Sequence, residues 1–130
     1  MSRRAQPRLD EGSAVAEFCL VMVVLVPLVL GVMQVGFVLH VRNTLTAAAA
    51  DGARVASRSG ATPDDGARRT REQITRVLSS RYAREVTTAR ASASGQPVVV
   101  VRARAEVPAL GIVGPAVTVT GTGRAVEETG

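Results

Sequence analysis

Residues 18–41 read FCLVMVVLVPLVLGVMQVGFVLHV and contain no Asp, Glu, Lys or Arg. As an α-helix this run is about 36 Å long, enough to cross a ~30 Å hydrocarbon layer with some tilt. A buried helix of a soluble domain rarely needs so long a charge-free stretch. The chain is therefore read as a single-span membrane protein with a small domain attached. Its 130 residues are 46% hydrophobic overall, an average that conceals how much of this is concentrated near one end. Once a span is set aside, roughly 70 residues remain for a separate core, near the lower limit for independent folding. Such a remnant can depend on packing against partner subunits.

Within the run, Pro27 has no N–H for the carbonyl of Val23, which predicts a local kink or loosening rather than a break. Gly31 and Gly36 would allow close packing of helices, although their spacing is not GxxxG. Positive charges do not orient the span: Arg3, Arg4 and Arg8 precede it, and Arg42, Arg54 and Arg58 follow it.

All sixteen basic residues are arginine, the net charge is +5 and the pI is 11.2. These arginines are scattered from Arg3 to Arg124, and only two Phe and one Tyr accompany them. A stacking platform for single strands is absent, so no specific nucleic acid is expected as a partner. With Cys19 as the single cysteine and His40 as the single histidine, no intrachain disulfide, metal site or cofactor is expected. Cys19 is read as a small apolar residue of the span. No phosphate loop, zinc spacing or Ser/His/Asp arrangement emerges, so the chain is read as no enzyme.

Beyond the span, residues 43–59 are Ala-rich and are expected to continue as an interfacial or exposed helix. Leu45, Ala48, Ala49, Gly52, Val55 and Ala56 share one stripe, and Gly60 ends it. A second helix should start at Thr62, with Pro63 in its first position and Asp64 and Asp65 at its positive end. Its expected apolar face is Ile74, Val77, Leu78 and Tyr82, with Arg68, Arg69, Arg76 and Arg84 mostly opposite. A first strand is expected over residues 85–93, a turn at Ser94-Gly95-Gln96-Pro97, and the clearest strand over residues 98–107. There Val99, Val101, Ala103, Ala105 and Val107 face one way, Arg102, Arg104 and Glu106 the other. Residues 108–115 carry two Pro and two Gly and read as a loop. A third strand over residues 117–126 contains Gly121 and Gly123, which point to a bulge or an edge.

The join of polar head and span reads Asp10-Glu11-Gly12-Ser13-Ala14-Val15-Ala16-Glu17-Phe18. A Gly followed five residues later by Glu and an aromatic, at the threshold of an apolar helix, resembles the processing signature of type IV prepilins. Gly12 lacks a side chain, so its backbone can enter a narrow protease cleft in extended form. The resemblance implies a cut between Gly12 and Ser13 that leaves the whole apolar helix on the mature protein, unlike a secretory signal peptide. Two roles are open to Glu17. A carboxylate near hydrocarbon needs a partner or water, and the new Ser13 ammonium of an adjacent subunit would provide one. Alternatively, Glu17 sits at the interface, favoured by the helix dipole.

Gly12 to Phe18, Leu20, Pro27, the Gly31-Val-Met-Gln-Val-Gly-Phe37 stretch and the segment from Arg42 to Arg54 are similar to the N-terminal block of the TadE family of pilus assembly proteins. The similarity is close over about the first 60 residues; beyond them only the general plan agrees. It implies an α+β, pilin-like fold: a long N-terminal transmembrane helix, an amphipathic helix and a small antiparallel sheet of about three strands. It divides the chain into a cytoplasmic leader (1–12), a transmembrane helix with Ala-rich extension (13–60) and a small extracytoplasmic domain (61–130). The function implied is that of a minor pilin or pseudopilin of the tight-adherence (Flp) system, acting in pilus assembly, secretion or cell adhesion. Implied partners are the lipid bilayer, a prepilin peptidase, other pilin subunits, and an inner-membrane assembly platform with its secretion ATPase. The implied location is the cell membrane, crossed once with the N-terminus cytoplasmic and the C-terminal domain outside; entry into an extracellular pilus is left open. Phe18 departs from the Tyr common in major pilins of this system, as does the presence of a C-terminal domain.

Two other readings stand beside this one. A signal peptidase cut near Ala48-Ala49-Ala50 would release a secreted protein, although the apolar run exceeds the usual length. An anchored envelope protein would never be cut. A lipoprotein is excluded because Glu17 and Phe18, not small residues, precede Cys19.

Overall fold

The computed structural model describes residues 9–110 and 114–129. The first eight residues of the expected leader, and part of the expected 108–115 loop, lie outside the described residues. Helix α1 runs unbroken over Leu9–Ala56, helix α2 over Pro63–Val77, and a short 3-10 turn over Ser80–Ala83. Strands β1 (Glu85–Ala93), β2 (Gln96–Val107) and β3 (Val117–Val126) form one antiparallel sheet in the order β1-β2-β3. The α+β architecture expected from the sequence is present.

The sheet follows directly from its alternation. Val99, Val101, Ala103, Ala105 and Val107 are buried, while Arg102, Arg104 and Glu106 are exposed. The β1–β2 connection is tighter than the expected four residues. Ser94 and Gly95 have φ of 53° and 79°, the two positive values of a two-residue hairpin, and Gln96 and Pro97 already pair with Ala93 and Ser92.

The Ala-rich extension is not the exposed or interfacial helix expected of it. Val41, Leu45, Ala48, Ala49, Ala53 and Ala56 are buried beneath the sheet and form one wall of the core. The last residues of the charge-free run belong there too, with Phe37 and Val38 packed against that core. Val55, placed on the stripe by spacing, is only half-buried. Small residues on α1 let the sheet approach its backbone.

Gly121 and Gly123 show how close that approach is. A Cβ at Gly121 would overlap the backbone between Leu45 and Thr46, and one at Gly123 the backbone between Ala49 and Ala50. There is no bulge: β3 pairs with β2 residue for residue from Val117 to Val126. The glycines mark a strand lying on a helix at the sheet's edge.

α1 and α2 meet by the same device. A Cβ on Gly52 would lie 2.6 Å from the carbonyl oxygen of Gly66, and one on Gly66 2.7 Å from the Ala56 Cβ. The buried Thr70 hydroxyl reaches the carbonyls of Gly66 at 2.8 Å and Ala48 at 3.2 Å, tying the helices together. The buried face of α2 is therefore Gly66, Ala67, Thr70 and Ile74. Of the face expected from apolar spacing, Ile74 holds. Tyr82 is buried and Leu78 packs against the core as expected, but from beyond the helix end, and Val77 is 53% exposed.

Candidate functional site: the free stalk and its processing end

α1 does two jobs along its length. From Gln34 onward it belongs to the head, as its side chain bridges to the β2–β3 connection. The Gln34 amide donates to the Pro108 carbonyl at 3.3 Å, and the Leu110 N–H donates to the Gln34 carbonyl oxygen at 2.8 Å. Before Gln34, the helix stands clear of the head. Phe18 is 61% exposed and Leu20 69%, and none of this apolar stretch is buried. Length and composition suit this helix to a membrane, and exposing such a surface to water would be costly.

The residues of the expected processing motif sit at the far end of this stalk. Gly12, Ser13, Glu17 and Phe18 are all exposed on α1. Ser13 and Glu17 are one turn apart on the same side, with the Ser13 hydroxyl 3.5 Å from the Glu17 carboxylate. Gly12 is helical here, not extended. Glycine lowers helix stability, so local unwinding there costs less than at another residue. A Cβ at Gly12, Gly31 or Gly36 would meet nothing within 4 Å. Any close packing at Gly31 or Gly36 would therefore be with another chain. Pro27 lies inside the continuous helix.

At a rise of 1.5 Å per residue, Glu17 is about 25 Å and Ser13 about 31 Å along the axis from Gln34. Were this stalk to span a bilayer, the exposed arginines would keep the head out of the hydrocarbon, and the membrane segment would be nearer residues 13–33 than 18–41, with Glu17 inside it and Ser13 at its boundary. Gln34 itself was not singled out from the sequence; the signal was a lone amide in an otherwise apolar run.

An exposed apolar stalk that continues as the spine of a small α+β head defines the class: a pilin-like, helix-anchored protein. Residues 12–54 match the family model described as TadE-like protein. The match begins at Gly12 and ends at Arg54, so it takes in the stalk and nearly all of α1's buried half. No curated protein and no solved structure matches the chain.

Proposed function

We propose that this chain is a minor pilin or pseudopilin of a tight-adherence type IV-like pilus, a structural subunit rather than an enzyme. A prepilin peptidase cuts it between Gly12 and Ser13, removing the cytoplasmic leader of residues 1–12. The stalk, roughly residues 13–33, stays in the membrane, and the head, built from the rest of α1 together with residues 61–130, lies outside. Assembly draws on other pilin subunits and on an inner-membrane platform with its secretion ATPase. Glu17, set in hydrocarbon, pairs with the Ser13 ammonium of a neighbouring subunit, since an unpartnered carboxylate there is costly.

The observation that carries this reading is that one helix is both anchor and core. A signal peptidase cut near Ala48 would remove Val41 and Leu45, both fully buried, together with the backbone on which Gly121 rests. Among the described residues, a cut after Gly12 removes none that belongs to the buried core. The TadE-like match supports a pilus role.

N-terminal sequencing of the protein from its native membrane tests the cut. The expected start is Ser13; a start near Asp51, or an intact Met1, overturns the reading. Gly12→Trp should leave a slower-migrating precursor. Glu17→Val should be cut normally yet fail to assemble, and normal pili in that variant would refute the pairing.

A further inference from the structure

We propose that the base of the head binds the phosphate headgroups of anionic phospholipids in the adjacent leaflet, through Arg81 and Arg84. The inference rests on the reading that the free stalk spans a bilayer. The base is the end of the head from which the stalk leaves, and Gln34 fixes its level. Arg81 lines one groove with Phe37, His40, Val77 and Tyr82. Phe37 and His40 are about 5 and 9 Å above Gln34 along α1. Around the corner, Arg81 and Arg84 line a second cleft of about 370 Å³ with Pro108, whose carbonyl Gln34 holds, and Ala116. A headgroup layer is roughly 5–7 Å deep on each side of the hydrocarbon. An arginine side chain extended from this height reaches into it.

The charges at the base are suited to an anion. The second cleft also contains Arg104, Glu85 and Glu106. Glu85 is turned to Arg104, 3.8 Å away. Neither Arg81 nor Arg84 forms an ion pair among the described residues. The Arg81 guanidinium lies over the Tyr82 ring, 4.8 Å from its centroid, and donates to its hydroxyl at 2.8 Å, leaving most of its donors for a ligand. Its guanidinium is therefore positioned without being neutralised. Below it the rim turns apolar, with Leu110 45% exposed beside Gln34 and Val117 41% exposed where β3 begins. Charge above and apolar surface below match the order of headgroup and acyl chain at a leaflet surface.

The test uses the full-length chain in detergent micelles, with phosphatidylglycerol or phosphatidylcholine added and retained lipid counted by native mass spectrometry. Phosphatidylglycerol should be retained in clear preference. Arg81→Gln should reduce that preference about five-fold, and adding Arg84→Gln should remove it. The Arg81→Lys, Arg84→Lys pair should keep it, as should Arg58→Gln with Arg124→Gln at the other end of the head. Equal retention of the two lipids, or a preference unchanged in the double glutamine variant, overturns the proposal. So does complete displacement of the lipid by 10 mM (on the order of physiological) inorganic phosphate, which would make this a site for a free anion. Flotation of the wild-type chain with phosphatidylcholine vesicles separates the two levels. A chain that fails to float sinks the spanning stalk and this inference with it; one that floats without the lipid preference sinks this inference alone.

Discussion

Gly121 and Gly123 lie where β3 rests on the backbone of α1, and any side chain there must push strand and helix apart. Gly123→Ala should destabilise the head by about 1–3 kcal/mol, the usual cost of forcing a methyl group into a packed site. Thermal unfolding in micelles, followed by circular dichroism, would measure it. Gly31→Ala, on open stalk, should stay within about 0.5 kcal/mol of wild type. An unchanged melting temperature for Gly123→Ala would refute the close approach. The inward alternation of β2 was legible in the sequence because each residue's face depends only on its parity along the strand. The role of the two glycines was not. A glycine pair in a strand is equally compatible with a bulge, and what lies above it is settled only when distant elements dock. Thr70 was hidden for the same reason: its hydroxyl looks like a surface group until Gly52 and Gly66 bring the helices into contact.

At the scale of elements, α2 is the part whose beginning is written most locally. The Thr62 N–H donates to the Asp65 carboxylate at 2.9 Å, and the Asp65 N–H donates to the Thr62 hydroxyl at 3.3 Å, closing a capping box. The backbone hydrogen bond from Thr62 holds the Asp65 carboxyl below its ordinary pKa of 3.8, helped by the Thr62 hydroxyl and by Arg68. Because the native value is the lower one, the carboxylate stabilises the fold fully above the unfolded value. That contribution disappears as pH falls through the native one. The difference in melting temperature between wild type and Asp65→Ala should thus be constant from about pH 7 to 5 and close below pH 3.8. Thr62→Ala should cost about 1 kcal/mol at neutral pH. A gap that widens on acidification would contradict the capping role. The start of α2 was legible because its cap involves four consecutive residues. Its buried face was not, since apolar size points to Val77, whereas α1 presents glycine and alanine and selects the small residues Gly66 and Ala67 instead.

Across the whole molecule, one helix carries both stalk and head: α1 is continuous from Leu9 to Ala56 through Pro27, and Gln34 ties it to the β2–β3 connection. With the proposed spanning stalk, the depth of each stalk residue would follow from its distance to Gln34 rather than from the limits of the charge-free run. Cys19, the single cysteine and exposed on the stalk, provides a direct reading of that depth. It lies about 22 Å along the axis from Gln34, within a ~30 Å hydrocarbon layer, whereas Ser13 lies about 31 Å away at its far boundary. In sealed phosphatidylcholine vesicles Cys19 should resist a water-soluble maleimide applied to both faces, and should react once the protein is unfolded in dodecyl sulfate. In a Cys19→Ser background, Ser13→Cys should label readily without denaturant. If the bilayer were instead registered on residues 18–41, Cys19 would sit at the water boundary and label in intact vesicles. Val41, fully buried, and Phe37 and Val38, packed against the core, would then have to leave the head, a loss of packing that contact with lipid tails would not restore in kind.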